Sequence, residues 1–428
     1  MTAVNARPDA YDVIRRDVLT RLERKRLNAD TDLATIRVEI ERAVDEYQRR
    51  AHLGTETPLH DPRTMVERVL RSVTEFGALS DLLARRDVEE IFVEGPRVSF
   101  LDSHGRLRGL TEPTSEAENL QIIDRLLAQT ERQLNAKNPI VQARVLNGSA
   151  RLTAAIPPVA DQLSATLRRY TVRNVSLIDL VGRQALSYEA AAFLWGAMQL
   201  RSRVTISGEP GAGKTTLLAA MLAAAPTSHC VRACEEIREL SVPITHGAYY
   251  EVRPPALDGT GEISLRDLVK FVLAMRPDRI VCGEVRGAEA FELSRAVNAG
   301  CGFLCTVHAN SAIDALSALV NAALMAGENV AERVVRKVFA ESLDLVIHVD
   351  REDRGSEQGI RRQVMEVAAV LPSMGDDFTI EPIFTRAHPS APLQWSGHMP
   401  EHLEVRINRA LGPELTTRAL LEGKVRPL

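Results

Sequence analysis

The sequence predicts an α/β chain: a parallel-sheet domain built around a phosphate-binding loop, preceded by an α+β domain and a helical N-terminal region. Three observations predict it. Between Arg201 and about Asp350, strand-length apolar runs alternate with amphipathic helical patterns, the texture of a parallel sheet covered by helices on both faces. Gly208–Thr215 reads G-x4-G-K-[ST] where one such strand meets a helix. Upstream the texture changes from helical periodicity to short β-like runs. The expected divisions are a helical N-terminal region over residues 1–78, an α+β domain over 79–170, the phosphate-loop domain over 171–350, and a C-terminal extension over 351–428.

The elements follow in chain order. Leu33, Ile36, Ile40 and Val44 repeat at helical spacing, as do Val66, Val69, Leu70 and Val73, within a background rich in Arg and Glu. These are amphipathic helices with one buried stripe. The runs Glu90–Val93, Arg97–Leu101 and Arg151–Ile156 carry β-branched and aromatic residues bounded by Gly or Pro, and read as strands. A helix, Glu116–Gln133, interrupts them, and Thr171–Gln184 reads as a hinge. Val204–Ser207, Cys230–Cys234, Ile280–Cys282 and Phe303–Val307 are continuous apolar runs, as strands buried on both faces require. Leu265, Leu268, Val269 and Val272 mark a helix between two of them. Beyond Asp350 come β-like runs and a Pro-containing stretch, Glu381–Pro400, that reads as loop.

Composition bounds the function. The chain has 428 residues, 45% hydrophobic and 26% charged, enough for several folded cores. Its 53 basic and 57 acidic residues give a net charge of -4, which argues against nucleic acid as a constitutive partner. No window approaches the roughly 18 apolar residues of a membrane span, and the N-terminus has no apolar signal core. A cytoplasmic protein is expected. The five cysteines, Cys230, Cys234, Cys282, Cys301 and Cys305, form no usual zinc-ribbon spacing, and three of them fall in strand-like runs where cysteine packs as a small hydrophobe.

The loop Gly208-Glu209-Pro210-Gly211-Ala212-Gly213-Lys214-Thr215, continuing into Thr216, has the context its chemistry needs, a strand before and a helix after. Glycines let successive N–H groups turn inward around phosphates, and the helix start adds its positive dipole end. Lys214 reaches the β- and γ-phosphates and the Thr215 hydroxyl serves Mg²⁺. ATP and Mg²⁺ are the expected ligands.

Downstream, Met275-Arg-Pro-Asp-Arg-Ile-Val-Cys-Gly-Glu284-Val-Arg286-Gly puts an acid at a strand end, and Thr306-Val-His308-Ala-Asn-Ser ends the next strand with an imidazole. Cys234-Glu235-Glu236-Ile-Arg-Glu239-Leu ends a third. Strand C-termini form the edge where open α/β sheets bind ligands. This set resembles the type II/IV secretion system ATPases, most closely the CpaF/TadA-like branch that drives Tad (Flp) pilus assembly. Arg253-Pro-Pro, Ser264–Val269, Ile91–Pro96, Ala155–Pro158 and Leu167–Tyr170 extend the likeness over roughly residues 10–350.

The resemblance implies a RecA-like P-loop NTPase domain and a homohexameric motor, peripheral to the cytoplasmic membrane. Such a motor works on an inner-membrane platform protein to drive pilus assembly or secretion. It casts Glu284 as the group that polarises or deprotonates the attacking water, Glu235 as its rival, and His308 as a γ-phosphate sensor. Both acids, directly or through water, join Thr215 as Mg²⁺ groups. Arg151, Arg168, Arg253 and Arg286 fall on family positions and are candidate phosphate contacts. Two departures stand out. The family's Ile-Glu-Asp box is Cys234-Glu235-Glu236 here, and Arg169 replaces a usual Lys. A conjugative type IV secretion ATPase is the related alternative, and a nucleotide-gated scaffold with little turnover is the unrelated one.

Overall fold

The computed structural model describes residues 9–27, 32–170, 175–242, 244–255, 259–298, 300–372 and 377–427. The chain forms two compact units, Met1–Thr171 and Val172–Leu428.

In the first unit, α1 (Ala10–Lys25), α2 (Leu33–His52) and α3 (Pro62–Thr74) pack around Ile14, Val18, Ile36, Ile40, Tyr47 and Val69. Ile36, Ile40 and Val44 of α2 and Val66, Val69 and Val73 of α3 form the buried stripe the periodicity predicts, whereas Leu33, the first residue of α2, is 53% exposed and falls outside it. Asp61 caps α3 by accepting the N–H groups of Arg63 and Thr64, with Pro62 preset in the first turn. The short α4 (Ser80–Ala84) leads into β1 (Val88–Glu94), β2 (Arg97–Asp102) and β3 (Leu107–Gly109). After α5 (Glu116–Leu127) come β4 (Ile140–Val145), β5 (Ala150–Ala155) and β6 (Ser164–Arg169). The strands form one antiparallel sheet in the order β3-β2-β1-β6-β5-β4. Helix α5 stops six residues short of the expected Gln133. The Thr130 hydroxyl and N–H both bond the Leu127 carbonyl at 2.7 Å and turn the chain away.

Ile122, Ile123, Leu126 and Leu127 of α5 join the sheet residues Ile91, Leu152 and Leu167 in one core. Arg144, Arg151 and Arg168 lie directly opposite one another on β4, β5 and β6, and Glu90 of β1 follows in the same row.

The second unit begins with α6 (Leu177–Gly182), capped by a reciprocal Ser176–Asp179 box, so part of the expected hinge is helix. Residues 171–174 of that hinge lie outside the described residues. There follow α7 (Tyr188–Gln199), β7 (Arg203–Ser207), α8 (Lys214–Ala223), β8 (Val231–Glu235), β9 (Gly247–Glu251), α9 (Leu265–Leu273), β10 (Arg279–Val285), α10 (Glu289–Asn298) and β11 (Gly302–Val307). The chain continues through α11 (Ala312–Leu324), α12 (Glu332–Ser342), β12 (Leu345–Asp353), the single-turn α13 (Gly355–Gln358), β13 (Ile360–Leu371), β14 (Thr379–Thr385), β15 (Gln394–Trp395), α14 (Glu401–Leu411) and α15 (Thr417–Leu421).

The sheet has nine strands, ordered β15-β14-β13-β12-β7-β11-β10-β8-β9. From β12 to β9 every pairing is parallel, while β13, β14 and β15 add on antiparallel. The sheet therefore runs on past residue 350. It also corrects the reading of Glu381–Pro400 as loop, because β14 and β15 lie there. Pro382 sits where the β13–β14 register shifts, the kind of place a strand tolerates proline.

Helices cover both faces. Leu217, Leu218, Met221 and Phe193 pack on one, with Val204, Ile206 and Ile347. Leu268, Val269, Leu316 and Phe339 pack on the other, with Ile280, Phe303 and Val346. Cys234, Cys282 and Cys305 stand in register on three adjacent strands and are fully buried. Burial pushes the Cys234 and Cys305 thiols up to about 12. Cys230 differs from its expected strand position: it precedes β8 and is only half-buried. Among the described residues no cluster of His, Cys, Asp and Glu could hold a metal ion by itself.

Candidate nucleotide site

Because β7, β8, β10, β11 and β12 run parallel, their C-terminal ends share one edge, and the predicted groups lie along it. Ser207 ends β7, Glu235 ends β8, Glu284 lies near the end of β10, and His308 follows β11. Two hydroxyls tie the edge together. Ser207 Oγ lies 3.3 Å from the carbonyls of Ser311 and Ile347 and 3.0 Å from His348 Nδ1. Thr306 Oγ1 donates to the Gly283 carbonyl at 2.6 Å, fixing the β11 end to the residue before Glu284.

The phosphate loop has the backbone the motif demands. Gly208, Gly211 and Gly213 adopt φ of 152°, 77° and 95°, which L side chains rarely allow. A Cβ at Gly208 would lie 2.2 Å from the Val349 carbonyl oxygen. Gly213 is the N-cap of α8 and, lacking a side chain, supplies no capping bond. The first turn of α8 thus keeps the N–H character that phosphate oxygens seek. Lys214 is 7% exposed, and its ammonium donates to the carbonyls of Gly208 at 2.8 Å and Glu209 at 3.0 Å.

From Lys214 a polar chain leads across the edge. The ammonium donates to His308 Nδ1 at 3.1 Å, and His308 Nε2 contacts Glu284 Oε1. An Nδ1 that accepts from an ammonium leaves Nε2 as the donor of a neutral ring. Glu284 Oε2 accepts from Arg286 at 2.8 Å, and Arg286 reaches Glu236 at 3.2 Å. The β10–β11 register shifts between Cys282 and Val285, and such irregularities re-aim a side chain at a strand end. The structure thus brings Lys214, His308, Glu284 and Arg286 together.

Glu235 is placed differently. It is 3% exposed, and its carboxylate accepts the N–H of Glu239 at 3.1 Å and of Leu240 at 3.2 Å. Its Cγ would stand 2.8 Å from a Cβ on Gly283, so glycine there lets it pass. Burial pushes its carboxyl up to about 7. Both of its oxygens are engaged by the loop after β8. The Glu284 side chain, 27% exposed, is the more open of the two acids. Arg253 is exposed and bridged to Ile263 in the loop between β9 and α9. Arg151 and Arg168 belong to the sheet of the first unit. Arg169 donates to the carbonyls of Leu82 and Arg85 at the end of α4, so the guanidinium that replaces the usual ammonium is held by the fold.

These features fit a nucleoside triphosphate with Mg²⁺. Mg²⁺ binds through phosphates plus one or two protein oxygens and needs no preformed cage. Thr215 and the Glu284 carboxylate are the protein groups suited to it.

Sequence motifs did not signal four residues that flank the loop. His348, Val349 and Arg351 on β12 and Arg362 on β13 touch Ser207, Gly208, Glu209 and Gly211. Nor did the motif Met275–Gly287, which contains Arg279, signal what that residue does. It is fully buried and donates to the carbonyls of Met198 and Leu200 at the end of α7.

The family model described as type II/IV secretion system protein matches residues 66–366. The chain belongs to this family. It is an ATPase with a RecA-like domain behind an N-terminal domain, and it binds nucleotide. A putative conjugal transfer protein of Mycobacterium tuberculosis is 32% identical over 328 residues, spanning 72% of this ATPase and 88% of the relative. The type IV secretion system protein VirB11 of Bartonella quintana is 26% identical over 326 residues, 67% of this chain and 90% of the relative. Among solved structures, the ATPase DotB of Yersinia pseudotuberculosis superposes with a TM-score of 0.52 at 14% identity, covering 70% of this chain and 79% of that one, a likeness of fold.

Proposed function

We propose that this ATPase is a ring-forming motor, a homohexamer at the cytoplasmic face of the membrane. It transmits the work of ATP hydrolysis to an inner-membrane platform protein, powering Tad/Flp-type pilus assembly or type II/IV secretion. The observation that carries the chemistry is the continuous chain Lys214–His308–Glu284 at the sheet edge.

In this reading residues 208–216 cradle the phosphates, and Lys214 neutralises charge that develops on the transferring group. Thr215 and Glu284 would hold Mg²⁺, which would supply further charge neutralisation. Glu284 orients or deprotonates the attacking water. His308 reports the state of the Lys214 end to that carboxylate. Arg286 holds Glu284 from the other side, which makes it a positioning group before a phosphate contact. Glu235 supports the loop beside Gly283, with an auxiliary role toward water or Mg²⁺. Arg151, Arg168 and Arg253 are our further candidates for guanidinium contacts to phosphate.

The coupling is tested by purifying the full chain from membranes and measuring its mass, its ATPase rate and its co-purifying proteins. A six-fold assembly that retains a polytopic platform protein and turns over faster with it supports the pilus or secretion reading. A monomer that gains nothing from membranes contradicts it. The second reading, a conjugative type IV secretion ATPase, is favoured by the name of the Mycobacterium tuberculosis relative. Retention of a relaxase–DNA complex in the same preparation selects it.

A further inference from the structure

The antiparallel pair β12–β13 runs along the phosphate loop, and no motif assigns it a part in nucleotide binding. His348 Nδ1 meets Ser207 Oγ at 3.0 Å. The Val349 carbonyl closes over Gly208 so tightly that only glycine fits. Arg351 Nε stands 3.7 Å from Glu209 Oε2, and one of its terminal nitrogens would lie 3.3 Å from a Cβ on Gly211. Arg362 Nε donates to the Gly211 carbonyl at 2.9 Å, and its Cδ lies 3.7 Å from where a Gly213 Cβ would be. These contacts follow the loop from its first residue to its last glycine.

Arg351 and Arg362 are also direct cross-strand partners. Like charges placed opposite one another on a sheet repel, so this pair is unfavourable unless both find acceptors. The phosphate loop supplies one to each, a carboxylate to Arg351 and a main-chain carbonyl to Arg362. Glycines at 208, 211 and 213 leave the loop backbone with many conformations to lose on binding. A guanidinium on the outward Gly211 carbonyl fixes the peptide plane at the middle of the loop before any ligand arrives, and preorganisation of this kind appears as affinity.

We propose that the β12–β13 hairpin is a clamp on the phosphate loop, with Arg362 and, secondarily, Arg351 as positioning residues for phosphate binding. The clamp rests on residues 208–215 being the nucleotide loop. It acts equally on the ground state and the transition state, because it shapes the cradle and touches no reacting atom. Removing it therefore raises KM and leaves kcat nearly unchanged.

The test uses the full-length chain, a fluorescent ADP analogue and steady-state ATP hydrolysis. Arg362→Gln is expected to weaken ADP binding about tenfold and raise KM for ATP by a similar factor, with kcat within about threefold of wild type. Arg362→Lys, which keeps a donor at similar reach, recovers most of the affinity. Arg361→Gln is the control, since Arg361 pairs with Gln184, away from the loop. If Arg362→Gln does not fold, Arg351→Gln carries the test with an expected loss of about threefold. Wild-type affinity in Arg362→Gln, or an equal loss in Arg361→Gln, overturns the clamp. A wild-type chain that binds no ADP, or a Lys214→Ala variant that binds it as well as wild type, overturns the loop assignment instead.

Discussion

The buried carboxyl of Glu235 makes stability depend on pH in a direction opposite to most carboxylates, and Glu235→Gln should remove that dependence. The group sits 3% exposed at the end of β8, and burial lifts it from 4.5 to about 7. A raised acid binds its proton more tightly folded than unfolded. Between about pH 4.5 and 7 the native state therefore holds the extra proton, and the slope of unfolding free energy against pH is negative. The stabilisation is fully present below 4.5 and is lost as pH rises through 7. A shift of this size corresponds to about 3 kcal/mol. At about 2–4 °C per kcal/mol for a unit of this length, wild type should lose on the order of 10 °C of Tm relative to the variant between pH 4.5 and 8. Calorimetry or circular dichroism of both proteins across that range, following the transition of Val172–Leu428, reads the difference directly. Parallel Tm–pH curves for wild type and Glu235→Gln would refute the reasoning. They would mean that the carboxylate is hydrated or paired, and so open to a role in proton transfer.

Other outcomes follow from the same contacts. Gly208→Ala places a Cβ 2.2 Å from the Val349 carbonyl, so the loop must shift; nucleotide affinity should fall at least tenfold in a titration with labelled ADP, while the circular dichroism spectrum stays native. Arg279→Met leaves the carbonyls of Met198 and Leu200 without their donor in a fully buried place, and should cost about 3 kcal/mol of stability in denaturant unfolding with the ADP affinity of the folded protein unchanged. Thr306→Val removes the 2.6 Å bond to the Gly283 carbonyl and should lower kcat several-fold with little change in KM, because it loosens Glu284 and leaves the phosphate loop alone.

Much of the fold was legible because its signals are local. The stripes of α2 and α3, the strand before Gly208 and the alternation through β11 each follow from residue spacing, and the loop announces itself through the glycines its dihedrals require. What stayed hidden depends on partners distant in sequence. Pro382 disguised β14, since proline marks a strand only once the register shift that admits it is known. Nothing near Arg279 tells that its guanidinium finds two carbonyls about eighty residues upstream. The position of Glu235 in its motif says nothing of which way the carboxylate turns, and only the fold shows it bonded to the N–H groups of Glu239 and Leu240. Arg351 and Arg362 lie beyond the last motif and reach the loop only through the pairing of β12 with β7 and β13.

The central claim is that Lys214 holds the triphosphate while Glu284, linked to it through His308, enables attack by water. Single-turnover hydrolysis of ATP by wild type, Lys214→Ala and Glu284→Gln, with binding measured in parallel, tests it most directly. Glu284→Gln should bind ATP within about threefold of wild type yet hydrolyse it at least a hundredfold more slowly, whereas Lys214→Ala should lose binding itself. Hydrolysis by Glu284→Gln at the wild-type rate would contradict the account.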